Sequence, residues 1–559
     1  MSIERRLLLA FALSFLVIML SKPLWEQRPA TPPPKPTGAP VPAAPSGDQG
    51  GGRDLPKAVS ALPEREQAAS EPIKAASERE VEIETDLYRL VLSNKGALVR
   101  SWVLKRYTDS HGKPLDLVNS DKAGKLGYPL AVELVNGEEA SRRLDQALFE
   151  SDAAARIAVK ESGQSIDFRY ADEELGVQKQ YRVKPASYAI EVSCSVEWNG
   201  RPADYYLVWR SGFGDPTVNE RTIVQRGVYR GEEKITRIDS GKVEAQQQLS
   251  GAFDFAGLED QYFAALFLPT NGEKLRKIHL SRDEFEVEGT KKHELTAGVF
   301  GGGQGESRFR LFVGPKDTEV LRRVGGHLTE VIDYGWFAVV CKPLFIGLKA
   351  IYSFCRNYGL AIIILTILIN LALFPLRYKS IISAQKMQKL APQMKAIQER
   401  YKKLKPTDPK RQQMNAEVMS LYKEHGVNPL GGCLPLLLQM PFFIAFYNLL
   451  SVSIELRHAP FALWIKDLSA PDPTFVLPIL MTVSMVVMQK MTPTPSADPV
   501  QAKMMLAMPL VFGFMLAFTS SGLVLYWLTS NLVGIGQQYL MNRFGPTARV
   551  RPAKSGKKK

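Results

Sequence analysis

Three amide side chains stand inside otherwise apolar stretches of this sequence. Asn370 interrupts LTILINLALFPL, Gln439 interrupts LPLLLQMPFF, and Asn531 follows YWLTS. An amide in hydrocarbon is costly unless other polar groups satisfy its donors and acceptors. These residues therefore either hydrogen-bond one another between helices or keep a wet place within a bilayer.

Helical spacing adds two side chains to the amides. Thr366 and Asn370 lie four residues apart, as do Trp527 and Asn531, so each pair shares one face of a helix. Hydrogen bonds between such helices would stabilise a bundle by about 0.6–2 kcal/mol each. The other interpretation is a hydrophilic groove at membrane depth, lined by Thr366, Asn370, Gln439, Trp527 and Asn531. The residues alone leave both interpretations open.

The sequence has no motif for nucleotide binding, metal binding or acid–base catalysis. It has no GxxxxGK[ST] phosphate loop, no ligand spacing among its six histidines, and no paired carboxylates within the apolar runs. The four cysteines form neither a CxxC pair nor a disulfide pattern. We therefore predict a protein that is not an enzyme, with no catalytic residues, no cofactor and no metal.

The first 78 residues fall into two parts. Residues 1–24 place Arg5 and Arg6 before an apolar run without a clear cleavage site, which favours an uncleaved signal-anchor span with a cytoplasmic N-terminus. Residues 25–78 are rich in Pro, Ala and Gly, a composition that predicts a disordered linker.

Residues 79–320 alternate apolar and polar side chains in the way that is typical of strands. Examples are VEIETDLYRLVL, YAIEVSCSVEW and RFRLFVG, and Gly, Asn and Asp separate such runs. We predict a mostly antiparallel β-sandwich domain on the outer side of the membrane.

The C-terminal half has the apolar runs of a multi-pass α-helical membrane protein. After the N-terminal run, spans are predicted at 359–376, 430–452 and 474–489, and two more share the charge-free stretch 504–536. As one helix that stretch would be roughly 50 Å long, so we expect a break at Thr519–Gly522. An aromatic-rich helix over 333–354 is expected at the membrane interface.

The distribution of charge gives six spans an orientation. Residues 377–427, predicted to be a helical hairpin, hold twelve Lys or Arg against four Asp or Glu, and the last seventeen residues hold seven Lys or Arg and no acid. With the β domain outside, this hairpin and the basic tail 544–559 both fall in the cytoplasm, as the positive-inside rule requires. The five-span core, with its interfacial helix, then covers 321–543.

Several stretches of the membrane half resemble the YidC family of membrane-protein insertases. They are DYGW, VNPLGGCLPLLLQMP with FYNLLSVSIELRHAPFALWIKDLS, PILM followed by QKM, and SGLVLYWLTSNLVGIGQQ. The resemblance is close from Asp333 to Arg543. The β half is similar only in pattern to the large periplasmic domain of the family's Gram-negative members.

This resemblance implies insertion and folding of other membrane proteins at the bacterial inner membrane through a hydrophilic groove, alone or with the Sec translocon. The expected partners are nascent membrane proteins, the Sec translocon, the ribosome and anionic lipids, with no specific nucleic-acid sequence. Family members usually carry a positive residue, most often Arg, where this chain has Asn370. Arg377, just past Pro375, could supply a groove charge by reaching back.

Two other classes of protein stay open. A channel or transporter of small solutes would give solute flux in reconstituted vesicles, although the lack of intramembrane acids argues against proton coupling. An anchored protein that binds or modifies carbohydrate on the outer side would lose its activity on deletion of about residues 79–315, whereas an insertase should keep it. Five further apolar runs make this second class a poor fit.

The basic tail gives a first testable prediction. Removal of Arg549–Lys559 should weaken ribosome binding, and more strongly at low than at high salt, because salt screens exposed charges. Co-sedimentation of the purified protein with ribosomes at two salt concentrations measures the effect. Equal affinity of the truncated and full-length chains at both concentrations would exclude a ribosome contact by the tail.

Overall fold

The computed structural model describes residues 72–217, 225–232, 234–243, 246–270, 272–287, 290–303, 306–401, 410–426, 434–491 and 499–544. The predicted signal anchor 1–24, most of the linker 25–78 and nearly all of the tail 544–559 lie outside these residues. The described residues form two compact units, one within Ala69–Gln385 and Leu430–Lys559, the other within Lys386–Pro429.

The first part of the larger unit is a β domain with eighteen described strands. They are β1 (Glu80–Glu84), β2 (Tyr88–Ser93), β3 (Leu98–Thr108), β4 (Pro114–Asp116), β5 (Ala131–Leu134), β6 (Arg156–Ala158), β7 (Gln164–Ala171), β8 (Leu175–Val183), β9 (Ala189–Trp198), β10 (Arg201–Pro202), β11 (Tyr205–Trp209), β12 (Arg226–Gly231), β13 (Lys234–Asp239), β14 (Gln246–Glu259), β15 (Phe263–Pro269), β16 (Leu275–Val287), β17 (Thr290–Gly301) and β18 (Ser307–Pro315).

These strands form two sheets. Five make a small sheet in the order β4-β3-β2-β1-β6, and thirteen make a curled sheet along the path β5-β11-β17-β16-β14-β15-β18-β9-β8-β7. Off that path, β10 pairs with β9, and β12 pairs with β13 and β14. The β-rich, mostly antiparallel architecture predicted for this region is confirmed, with one parallel pair between β1 and β6.

Alternation along the strands decides which side chains form the core. In β8 every second residue is buried, namely Leu175, Val177, Lys179, Tyr181 and Val183, while the residues between them are more exposed. A period of two is what a pleated strand imposes on its side chains. One of these inward side chains is a lysine, which a core does not accept without partners for its charge.

The ammonium group of Lys179 is held by backbone oxygens alone. It donates to the carbonyls of Gly96, Ala97 and Leu130 at 2.9, 3.3 and 2.8 Å, and no carboxylate in the described ranges forms an ion pair with it. Burial lowers the pKa of Lys179 from 10.5 to about 8. The three carbonyls satisfy its donors and explain why the core tolerates it.

Eleven α-helices are described. They are α1 (Ser120–Leu126), α2 (Glu138–Gln146), α3 (Thr318–Val324), α4 (Ala338–Cys355), α5 (Tyr358–Ala372), α6 (Phe374–Arg400), α7 (Lys410–Glu424), α8 (Leu434–Val452), α9 (Val476–Met491), α10 (Pro499–Leu516) and α11 (Ser521–Phe544). The first two lie within the β domain, and α4 to α11 carry the apolar runs and the predicted hairpin.

Length and composition test the predicted spans. Gly335–Cys355, which is α4 with the turn before it, is the one described helix long and apolar enough to cross a membrane alone. A second candidate combines α5 and α6, which meet at a bend of 61°. The apolar helices Gln439–Val452, Val476–Met491 and Ala507–Leu516 are shorter. Six spans, and the interfacial position of 333–354, therefore stay predictions.

The break expected within 504–536 is confirmed, because α10 ends at Leu516 and α11 begins at Ser521. The backbone N–H groups of Ser521 and Gly522 donate to carbonyls of the link between α8 and α9, at 2.7 and 2.9 Å. A helix leaves its first N–H groups without internal partners, and this link satisfies two of them.

A buried ion pair joins the β domain to the link between α8 and α9. Arg457 in this link pairs with Asp215 of the β domain, and both side chains are more than nine-tenths buried. The Arg457 guanidinium also lies over the rings of Tyr262 and Phe263, 5.6 and 5.2 Å from their centroids. Removal of either charge would leave the other buried without compensation.

The smaller unit contains most of α6 and all of α7. The hydroxyl of Tyr422 lies 2.7 Å from the sulfur of the buried Met394. At the end of α6, Arg400 and Tyr401 both bond to Glu417 of α7. These contacts join α6 to α7. The hairpin over 377–427 stays a prediction.

The buried lysine makes the stability of the β domain depend on pH. Between about pH 8 and 10.5 the unfolded chain binds a proton at Lys179 that the folded chain has lost, so stability rises with pH in this window. Relative to Lys179→Met, the free energy of unfolding should rise by roughly 3 kcal/mol across it. Denaturant unfolding of both proteins, followed by tryptophan fluorescence, measures the difference. Parallel pH profiles would contradict a depressed pKa.

Candidate functional site

A small polar cavity lies where the end of α5 and the start of α6 meet α8 and α11. Its volume is about 30 Å³, room for about two water molecules. Its lining combines apolar and polar side chains, namely Ile369, Asn370, Leu373, Arg377, Gln439, Phe442, Tyr526 and Ser530. The cavity therefore presents hydrogen-bonding groups within an apolar surrounding.

Two local features of the chain place the cavity residues of α5 and α6. Asn357 caps the start of α5, where its side chain accepts from the N–H of Leu360 at 3.0 Å. Pro375 has no N–H to continue the helical bonding, so α5 ends at Ala372 and the chain bends by 61° into α6. Because of this bend, the side chain of Arg377 turns back toward the end of α5.

A hydroxyl on α11 joins the two amides. Asn370 donates to Ser530 Oγ at 3.3 Å and to the carbonyl of Thr366 at 2.8 Å. Gln439 donates to the same hydroxyl oxygen at 3.0 Å. Ser530 thus connects α5, α8 and α11 through one oxygen, and its hydroxyl also lies within donor distance of Asn370 Oδ1, at 3.4 Å.

The charge in the cavity comes from Arg377. Its Nη1 donates to Asn370 Oδ1 at 3.2 Å and to Gln537 Oε1 at 3.3 Å. Gln537 in turn donates to the backbone carbonyl of Asn370 at 3.2 Å. No carboxylate in the described ranges pairs with this guanidinium. Neutral amides satisfy two of its contacts but leave its positive charge uncompensated.

The sequence-predicted groove residues occupy three different environments. Asn370, Gln439 and Arg377 line the cavity, as described above. Thr366 is fully buried one turn earlier on α5, and its hydroxyl donates to the carbonyl of Ile362 at 2.6 Å. Its carbonyl, not its hydroxyl, is what contacts Asn370.

The two remaining residues, Trp527 and Asn531, are not among those that line the cavity. Trp527 packs edge-on against Phe443, with centroids 4.6 Å apart, and tilts against Phe512 at 6.0 Å. Asn531 donates to Ser484 Oγ on α9 at 2.9 Å. In the structure this second amide joins α9 to α11, the interhelical bonding that was the alternative to a groove.

Sequence reasoning missed the face of α11 that meets the cavity. That face carries Tyr526, Ser530 and Gln537, spaced by four and seven residues. Tyr526 and Ser530 each precede by one residue the predicted pair, Trp527 and Asn531. The prediction selected that pair because its aromatic and amide side chains are larger. The regular spacing of the smaller polar groups was the available signal.

The chemistry of the site is that of hydrogen bonding and charge. The cavity offers amide donors and acceptors, a cation and the hydroxyl-bearing residues Ser530 and Tyr526, but no carboxyl, thiol or imidazole group lines it. Within the described ranges no three His, Cys, Asp or Glu side chains group to hold a metal ion. The arrangement can hold water and bind polar or anionic groups.

Comparison with known proteins gives matches along nearly the whole chain. Residues 350–548 match the family model described as 60Kd inner membrane protein, and residues 80–346 match that of the YidC periplasmic domain. The membrane protein insertase YidC of Syntrophus aciditrophicus is 35% identical, over 97% of this chain and 99% of its own length. That of Geotalea daltonii is 38% identical, over 86% and 89%.

Among solved structures, an active YidC insertase with its first transmembrane domain resolved is 21% identical. It covers 84% of this chain and 95% of its own, with a TM-score of 0.36. The two family models together span both the β domain and the membrane half, and the two relatives cover 97% and 86% of this chain. This chain therefore belongs to the YidC family of membrane protein insertases.

Proposed function

We propose that the polar cavity at α5, α6, α8 and α11 is where this insertase receives the polar parts of its clients. Relatives that match nearly the whole chain are membrane protein insertases, and this chain inserts membrane proteins at the inner membrane with its β domain in the periplasm. The observation that carries the proposal is the guanidinium of Arg377, held by neutral amides and free of carboxylates among the described residues.

The physical task of an insertase is to reduce the cost of moving polar groups past hydrocarbon. Each unpaired polar group in that environment costs several kcal/mol on transfer scales. Asn370, Gln439 and Ser530 offer exchangeable donors and acceptors at one place. With room for about two waters, the cavity acts as a polar wall beside which a client segment passes, and it does not enclose the client.

The charge of Arg377 adds a preference among clients. An acidic client residue would find a cation whose charge nothing else in the described cavity compensates. The attraction between opposite charges is much larger in such a poorly hydrated place than in water. We propose that Arg377 performs the task that the resemblance to the family assigns to a positive residue at the position of Asn370.

Further partners follow from the basic segments. We propose that the hairpin 377–427 and the tail 544–559 contact the ribosome and anionic lipids on the cytoplasmic side, where both termini would lie. Cooperation with the Sec translocon is part of the same proposal. No covalent chemistry is needed for it, because clients are moved and not modified.

Replacement of the cavity amide tests the proposal. Asn370→Leu removes the acceptor that holds Arg377 and the donor to Ser530. It should slow insertion of clients with polar or acidic translocated segments by about tenfold and leave purely apolar clients nearly unchanged. Asn531→Leu is the matched control, because it removes an amide that bonds to Ser484 outside the cavity.

Two measurements separate the role of an amide in contacting clients from its role in bonding helices together. They are the rates at which a matched set of clients inserts into proteoliposomes and the thermal stability of each variant. The control should lose stability without changing client preference. If Asn370→Leu inserts all clients equally well, or if both variants behave alike, the cavity has no part in receiving clients.

A charge exchange tests the role of Arg377. Arg377→Gln alone should remove the preference for acidic clients, because a neutral amide replaces the cation. Asn370→Arg combined with Arg377→Gln returns a positive charge to the cavity and should restore it. The ratio of insertion rates for acidic and neutral clients is the measurement. An unchanged ratio in Arg377→Gln would show that the charge is not used.

A further inference from the structure

Two glycines lie close together inside the long helix α11, in the sequence GIG at 534–536. Glycine in a helix interior costs about 1 kcal/mol relative to alanine, so each position calls for a reason. The two differ in their surroundings. Gly534 is buried, and Gly536 is exposed.

The space beside Gly534 is occupied by Arg377. A Cβ atom added to Gly534 would lie 2.6 Å from Nη2 of Arg377 and 2.6 Å from Cε of Met488. Such distances are too short for carbon and require the neighbours to move. A Cβ atom added to Gly536 would meet no atom within 4 Å. Two other side chains, one of them charged, therefore occupy the space that a side chain at position 534 would need.

We propose that Gly534 is a positioning residue that seats the Arg377 guanidinium in the cavity and thereby sets the preference for acidic clients. This inference rests on the proposed function of the cavity. Three groups hold the cation: the open backbone of Gly534, the amide of Asn370 and the amide of Gln537. The first gives it room, and the other two orient it.

A larger side chain at position 534 would displace the guanidinium of Arg377 from the cavity. Its long apolar stem starts on α6, beyond the bend, and can extend toward the membrane surface, where water stabilises the charge. Asn370 would then lose a donor, and Gln537 would lose its contact with the guanidinium. The cavity would keep its amides and its hydroxyl but lose its positive charge.

Close packing of α9 against α11 is the competing explanation of Gly534, since Met488 of α9 fills the same space. A thioether on a flexible side chain adapts to new neighbours readily. Packing would affect stability and the insertion of every client, whereas a seat for Arg377 affects only the response to client charge. The two explanations also differ in whether the effect needs Arg377 to be present.

The test compares Gly534→Leu with the matched control Gly536→Leu, each with Arg377 intact and in the Arg377→Gln background. The measured quantity is the ratio of insertion rates of acidic and neutral clients into proteoliposomes. With Arg377 present, Gly534→Leu should lower this ratio by about fivefold. Gly536→Leu should leave it unchanged. In the Arg377→Gln background, Gly534→Leu should have no further effect on the ratio.

Each outcome decides between explanations. Two results would contradict the positioning role of Gly534 but leave the proposed function intact. One is an equal effect of Gly534→Leu in both backgrounds, and the other is an unchanged ratio of insertion rates with Arg377 intact. An unchanged ratio in Arg377→Gln alone overturns the use of the charge itself. If Gly534→Leu does not fold, Gly534→Ala replaces it and should show a smaller decrease that Asn370→Arg reverses. Failure of that rescue contradicts the proposal.

Discussion

The membrane half of this protein is organised around a cation that has only neutral partners. Arg377 donates to Asn370 and Gln537, and no described carboxylate neutralises it. Such an arrangement is unfavourable unless several elements supply bonding groups at one place, because a charge withdrawn from bulk water is costly without polar groups that replace its hydration. α5 provides Asn370, the bend at Pro375 returns Arg377 to it, and α11 provides Gln537 and an open surface at Gly534.

The same constraint explains how polarity is shared among the helices. Ser530 accepts from amides on α5 and α8, so one hydroxyl links the three helices that meet at the cavity. A second polar contact, between Asn531 and Ser484, joins α9 to α11 away from the cavity. One helix therefore carries two kinds of polar group on neighbouring faces, one for bundle stability and one facing the cavity.

The sequence predicted the kinds of element better than the direction of side chains. The alternating run YAIEVSCSVEW forms β9 as expected. The apolar run predicted as a span over 359–376 forms a helix, but α5 ends at Ala372 and the chain bends by 61° into α6. On α11 the prediction selected Trp527 and Asn531, whereas the cavity receives Tyr526 and Ser530. Adjacent positions on a helix point about 100° apart, and packing against α8 and α9 decides which face turns inward. Local sequence does not contain that rotation.

Some features depend on contacts between distant parts of the chain and were beyond prediction. The three carbonyls around Lys179 come from turns 49 to 83 residues away. Sequence periodicity does not reveal such partners, so a lysine at an inward position of β8 only breaks the expected alternation of apolar and polar residues. The return of Arg377 toward Asn370 was an expectation from reach alone, and the bend supplies the geometry.

The pairing of Asp215 with Arg457 has a consequence for the order of biogenesis. The partners are separated by 242 positions, so the ribosome makes Asp215 long before the arginine exists. Until then, the Asp215 carboxylate lacks the cation that compensates its charge in the folded protein. The β domain therefore completes its surface only after the link between α8 and α9 has been delivered to the same side of the membrane. The Asp215–Arg457 pair can therefore form only in a chain whose link between α8 and α9 lies on the same side of the membrane as the β domain.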